Sequence, residues 1–310
     1  MLLRYRASHI QHIQKVLQQM NLKLTNVISD VTGVTGLRII RDILSSQHDP
    51  KELAKHRDHR CRKNEEEIAK SLEGDYRNEL LFTLRQTVEL YDLYTEKLRA
   101  CDGEIERQLA CFEPKIDIKE QPLPPATRPP AIRPKNDPPS DIRPALYQMA
   151  GVDLTQIDGL NILSIQSILS EIGTDMSKWP TVKHFTSWLG LCPQNQKTGG
   201  KIIRTRTKKT DSRANLAFRQ AAASLGRSQT ALGSFYRRMK TKLGTPKAVV
   251  ATAHKLARIV YHMLKYQVSF SAIPPEQEDE RYRQRLLHNL QPKAQKLGAK
   301  LILETQSDSA

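Results

Sequence analysis

The chain has 310 residues, 26% charged and 38% hydrophobic, with a formal net charge of +16. That length is enough for two domains with separate cores. No apolar run approaches the roughly 18 residues a membrane span needs. Four cysteines (Cys61, Cys101, Cys111 and Cys192) form no CxxC pair, which fits a reducing cytosol and argues against a zinc ribbon.

The N-terminus is basic and lacks the apolar h-region of a signal peptide. Ile10, Ile13, Leu17, Met20, Leu24 and Val27 then alternate steps of three and four. So do Leu81, Leu84, Val88, Tyr91, Thr95, Leu98, Asp102, Ile105, Leu109 and Phe112. A period of 3.5 keeps one seam against a partner helix, either within a bundle or between chains of a coiled coil. Both outcomes stay open, and self-association through this region is expected. Between the stripes, Asp49-Pro50 and Asn64 with Glu67 read as helix starts, and Gly74 as a stop. His56, His59 and Cys61 lie close together but lack a fourth metal ligand.

Ten of the 17 prolines fall between Pro114 and Pro144. Such a stretch reads as a semi-rigid, extended linker. The expected organisation is therefore a helical coiled-coil region at 1–112, a Pro-rich linker at 113–144, a helical basic domain at 145–270 and a helical tail at 271–310. The fold class is all-α.

The charge is concentrated. From Met176 to Pro275 there are 19 Lys and Arg residues and one acid, Asp211. The other 210 residues hold 30 basic and 32 acidic side chains. A solvated surface mixes signs, so near-exclusion of acids over 100 residues points to a polyanionic partner, nucleic acid first.

Within this half, Leu154–Gly173 resembles a helix-hairpin-helix, with Asn161 where the second glycine usually stands; such a turn offers backbone N–H groups to phosphate. Thr210 or Asp211 is placed to cap a helix through Leu216 and Ala221. Thr245-Pro246 opens another through Leu264, and residues 276–292 form an acidic-then-basic helix. His184, His254 and His262 fall on half-apolar helical positions, where packing competes with catalysis. Lys197-Thr198-Gly199-Gly200-Lys201 puts one hydroxyl between two lysines and before two glycines. The glycines let backbone approach a phosphate, and the lysines would stabilise charge on a phosphodiester under attack. Arg204, Arg206, Lys208, Lys209 and Arg213 are placed to hold flanking backbone. On these residues alone, a flexible basic loop that binds phosphate without chemistry is the favoured reading. The spacing is not that of a P-loop.

Several long segments carry a resemblance. They include ASHIQHIQKVLQQMNLKLTNVISDVTGVTGLRIIRDI, GVDLTQIDG, SEIGTDMSKWPTVKHFTSWLGLCP, the TGGK loop and RANLAFRQAAASLGRSQTALGSFYRRMKTKLGTPKAVVATAHKLARIVY. Together, over roughly residues 1 to 270, they resemble transposases of the IS110 group of bacterial insertion sequences (the IS116/IS110/IS902 type). The resemblance implies a DNA recombinase acting in the bacterial cytoplasm at the nucleoid, guided by a structured RNA. It implies an RNase-H-like domain whose four carboxylates bind Mg²⁺, then a coiled coil, then a C-terminal domain with a nucleophilic serine. The matching position here is Thr198. Threonine keeps the hydroxyl, while its methyl crowds the approach. Asp30, Asp42 and Glu65–Glu67 do not match the carboxylate quartet. The chain is therefore expected to be an N-terminally truncated copy that holds no metal or other cofactor and is inactive alone. The alternative is a non-catalytic DNA- and RNA-binding fragment that modulates an intact transposase.

Overall fold

The structure, a computed structural model, describes residues 1–126, 141–272 and 274–299; the side chains of Lys197, Ile202, Arg204, Pro275, Glu278, Asp279 and Lys293 are also outside the description. The chain divides into two compact units, residues 1–108 and 109–310. The described residues are helical apart from one short β-hairpin.

The first unit contains α1 (Leu2–Gln19), α2 (Leu24–Val27), α3 (Val34–Leu44), α4 (Pro50–Ala54), α5 (Glu65–Ser71) and the 33-residue α6 (Asn78–Ala110). Local chemistry fixes the starts. Asp49 accepts from the Lys51 N–H at 3.0 Å, with Pro50 at the first turn. Asn64 and Glu67 form a complete capping box. The first stripe does not run through one helix. It breaks after Met20, where Asn21 takes the left-handed conformation (φ 57°), and Leu24 begins a separate turn. Ile13, Leu17, Met20 and Leu24 lie in one buried cluster with Leu84, Val88 and Tyr91 of the second stripe. These parts of both seams thus face an intramolecular core. On the other face of α6, Phe82, Leu90 and Leu93 are exposed.

The second unit begins with a proline-rich segment tied down by hydrogen bonds. The Lys115 N–H donates to the Gln148 carbonyl at 2.8 Å, and Arg143 and Gln156 donate to the carbonyls of Pro124 and Pro125. Residues 127–140 of the expected linker lie outside the described residues. Next come α7 (Arg143–Ala150), a 3-10 turn (Leu154–Gln156), α8 (Ile162–Ile172) and α9 (Val182–Trp188). The hairpin β1 (Gln196–Thr198) and β2 (Lys201–Arg204) precedes α10 (Arg213–Ser224), α11 (Ala231–Leu243), α12 (Thr245–Tyr266) and α13 (Pro275–Lys296). Residues 300–310 of the expected tail are outside the description.

Small residues let α10 and α12 pack closely. Ala214, Ala217, Ala221 and Ala222 share one core with Ala248, Ala253 and Ala257. Phe185, Phe218 and Tyr261 fill that core, and the Tyr261 hydroxyl donates to the Trp179 carbonyl at 2.8 Å. Truncating any of the three should cost about 3–5 kcal/mol.

One buried ion pair anchors the entry to this unit. Asp153 is 3% exposed at its side chain and faces Arg143 at 2.5 Å. Burial alone would raise its carboxyl, but hydrogen bonds from Arg143, Thr155 and Gln156 hold it below the ordinary carboxylate range.

The segment resembling a helix-hairpin-helix has a different internal economy. Its first member is the single turn Leu154–Gln156, capped by Asp153. Asn161 is the N-cap of α8 and accepts from the Ser164 N–H at 2.8 Å. Gly159 has φ +88°, and a Cβ there would meet the Ala221 carbonyl oxygen at 2.9 Å. Its missing side chain thus serves contact with α10 and the following turn.

A candidate nucleic-acid interface

The Lys197–Lys201 segment folds as a hairpin tip. Gly199 and Gly200 have φ of +54° and +76°. Two successive positive φ values define the type I′ turn whose twist matches paired strands, and only glycine enters it without strain. Nothing lies within 4 Å of where a Cβ would stand on either residue. Lys197 pairs with Ile202 and Thr198 with Lys201. Directly opposed residues share a face of the ribbon, so Thr198 and Lys201 are neighbours across the turn. Both are exposed.

The pairing slips between Gln196 and Lys197. Gln196 pairs with Arg204 and Lys197 with Ile202, so Ile203 is an extra residue on β2. Below it the strands continue irregularly to a bridge between Pro193 and Thr207, with the Gln194 N–H donating to the Arg206 carbonyl at 2.8 Å.

At the base of this arm is a cleft of about 250 Å³ lined by Thr207, Lys208, Lys209, Thr210, Asn215 and Arg219. Asn215 is fixed by donating from Nδ2 to the Leu189 carbonyl at 2.6 Å. The cap of α10 is Ser212, whose hydroxyl accepts from the Asn215 N–H at 3.0 Å; the expected Thr210 or Asp211 cap is thereby corrected. Thr210 lines the cleft instead. The Ala214 N–H at the same helix start is held by the Glu171 carboxylate at 2.8 Å.

The structure thus brings Lys208 and Lys209 together at the cleft, sets Thr198, Gly199, Gly200 and Lys201 at the tip, and leaves Arg206 and Arg213 exposed. Lys197 and Arg204 have backbone positions on the two strands, with side chains outside the description. Arg219 and Asn215 join the cleft from α10. Their sequence signal is their spacing of four, which puts them on one helical face.

Pairing sets the cations of the arm and cleft apart from those of the first unit. In the first, Arg41 meets Asp92, Lys55 meets Glu52, Lys63 meets Glu67 and Arg77 meets Asp75. Among the described residues, Lys201, Arg206, Lys208, Lys209 and Arg213 have no ion pair. Cations held together with no counter-charge repel one another, and an incoming polyanion relieves that repulsion.

The other candidate groups take structural partners. His184 Nδ1 bonds the Thr181 hydroxyl at 2.8 Å, and His262 stacks on Tyr266. Burial, and then the Arg258 charge, lower the pKa of His254. In the first unit His56 contacts Asp42, His59 lies by Asp58 and Cys61 Sγ meets the Thr35 hydroxyl. Among the described residues no three His, Cys, Asp or Glu side chains are grouped as a metal requires.

No helix among the described residues is long and apolar enough to cross a membrane. Comparison with curated proteins and with solved structures returns no match. Residues 151–237 match the family described as Transposase IS116/IS110/IS902. That segment runs from the end of α7 through the arm and α10 into α11, and so contains Thr198 and every residue lining the cleft except Val250. The segment that holds the arm and most of the cleft is thus similar to the transposase domain of the insertion-sequence IS116/IS110/IS902 family.

Proposed function

We propose that this chain binds insertion-sequence DNA, with a structured guide RNA, along the arm and cleft, and, when a carboxylate-bearing family domain is supplied, exchanges strands through the Thr198 hydroxyl. The observation that carries the binding is the set of cations without ion-pair partners around a tip free of acids. Lys208, Lys209 and Arg219 would seat one backbone phosphate at the cleft, with Arg206 and Arg213 beside it. Lys201, opposite Thr198, would lie against the phosphate under attack. Thr198 Oγ would bond to phosphorus as the bond to a deoxyribose oxygen breaks. The hydroxyl proton would leave with that oxygen, and Lys201 would offset the phosphoryl charge.

By resemblance, enzymes of the family use Mg²⁺ on a carboxylate quartet. The described residues offer no such donor set, so no step here is routed through a metal. Self-association would use the exposed Phe82, Leu90 and Leu93 face of α6, and DNA binding would keep the protein at the nucleoid.

A second reading is a non-catalytic binder that modulates an intact transposase. It is favoured by the open position of Thr198 at the tip, with no His, Asp or Glu hydrogen-bonded to it among the described residues. The separating experiment uses a nicked element-end DNA that traps covalent intermediates. It is run with guide RNA, Mg²⁺ and a carboxylate-bearing family domain supplied in trans. A denaturing gel should show a protein–DNA adduct that Thr198→Ala removes while binding persists. Binding without an adduct leaves the second reading; an adduct that survives Thr198→Ala places the nucleophile elsewhere.

A further inference from the structure

Ile203 stands out on the arm. It is 70% exposed, and among the described side chains of residues 193–207 it is the only large aliphatic or aromatic one so displayed. It is also the extra residue of the slipped register between Gln196–Arg204 and Lys197–Ile202. A bulge of this kind re-aims one side chain out of the regular alternation of a ribbon. Lys201 and Arg206, both exposed, lie two and three residues away in sequence.

Resting on the DNA-binding reading, we infer that Ile203 is a wedge that enters between two base pairs of duplex DNA from the minor groove and kinks it. The argument is one of chemistry and reach. Ile203 lies four residues from the Pro193–Thr207 bridge, about 13 Å along an extended strand. That exceeds the minor-groove depth of roughly 7.5 Å. Aliphatic side chains unstack base steps from this groove when neighbouring cations hold the phosphates on either side. Charge complementarity selects the occupant: an arm with Lys201 and Arg206 exposed and no acid repels other basic surfaces and attracts a polyanion. A protein partner is a poorer fit, because one aliphatic side chain falls far short of the roughly 800 Å² per partner of a stable interface. Flexible pyrimidine–purine steps are the ones that yield at least cost.

The wedge and the cations act on different observables, which makes the test separable. The full chain is titrated onto element-end duplexes carrying 2-aminopurine at TA or CA steps, with end-to-end energy transfer reporting the bend. Wild type should raise 2-aminopurine fluorescence at one step and bend the DNA by about 20–90°. Ile203→Ala should abolish both signals while affinity changes less than about tenfold, since phosphates dominate binding. Ile203→Leu should keep both. A wild-type complex that binds without bending, or an Ile203→Ala complex that bends as wild type does, overturns the wedge and leaves DNA binding standing. Loss of self-association in Ile203→Ala by light scattering, with the bend intact, assigns the residue to a protein contact instead. Absence of any DNA binding at low salt overturns the binding reading and the wedge with it.

Discussion

Glu171 on α8 sets its carboxylate 2.8 Å from the Ala214 N–H, at the start of α10. A helix start carries partial positive charge and unsatisfied N–H groups, and is a ready site for a phosphate. Here the chain's own carboxylate fills part of it and Ser212 fills more. On the proposed DNA-binding reading, phosphates would thereby be directed to the cleft and the arm.

Glu171→Gln removes a charge–dipole interaction and weakens one hydrogen bond. It should lower the stability of the second unit by about 1 kcal/mol. DNA affinity should hold or rise, since a carboxylate near the cleft is gone. Thermal melts and a binding titration on the same sample read both. A fall in affinity without a fall in melting temperature would mean that Glu171 positions the cleft.

The Arg143–Asp153 pair makes the opposite kind of prediction. Asp153→Asn leaves a buried guanidinium without its counter-charge and should destabilise the second unit by roughly 3 kcal/mol. The pH dependence has a definite sign. The folded carboxyl titrates below its unfolded value, so its stabilisation is present above the ordinary carboxylate range. It is lost as pH falls through the depressed folded pKa. Acid melts of wild type should therefore steepen in that window, and those of Asp153→Asn should not.

Local chemistry was legible in the sequence and topology was not. The Asp49 cap, the Asn64–Glu67 box and the Thr245-Pro246 start need only neighbours a few residues apart, and all three formed. The continuous stripe from Ile10 to Val27 did not, because Asn21 turns left-handed; asparagine permits that conformation, but the apolar period running past it to Leu24 and Val27 masks the signal. Lys197–Lys201 reads as a phosphate loop because each strand of the hairpin is too short to show alternation. The Gly-Gly pair was legible for its permissiveness and silent about its turn type. Arg219 and Asn215 reach the cleft only because α10 folds back onto the chain around Gly190, a relationship no spacing encodes.

Electrostatics supplies a graded prediction. Log affinity for duplex DNA should fall with log salt at a slope near −5 if about six phosphates are contacted. Lys208→Ala and Lys209→Ala should each flatten the slope by about one, as loss of one phosphate contact requires. Lys55→Ala, whose cation already faces Glu52 at 2.6 Å, should leave the slope unchanged. A slope near zero for wild type would remove the electrostatic case.

The Gly-Gly tip can be tested without chemistry. Gly199→Ala and Gly200→Ala meet no neighbouring atoms, so their effect is purely backbone: each side chain must hold positive φ. Each should cost the hairpin about 1 kcal/mol. Hydrogen exchange at the arm should rise while the core helices keep their protection. Gly→Asn at either position should be tolerated better, because asparagine accepts the left-handed conformation more readily.

Thr198 and Lys201 give the sharpest pair of outcomes. Facing each other across the turn, they should divide bond formation and charge stabilisation between them. In the assembled strand-exchange reaction, Lys201→Ala should slow the chemical step by roughly 10²- to 10³-fold, the cost of losing one preorganised stabilising group. Its effect on binding should be no more than one phosphate contact in the salt slope. Lys201→Arg should recover much of the rate. Thr198→Ser should match or exceed wild type, since removing the methyl relieves crowding at phosphorus and frees χ1. If Lys201→Ala and Lys208→Ala slow exchange equally, and only in proportion to lost binding, the tip is a phosphate clamp like the cleft. The hydroxyl between the strands would then have no chemical role.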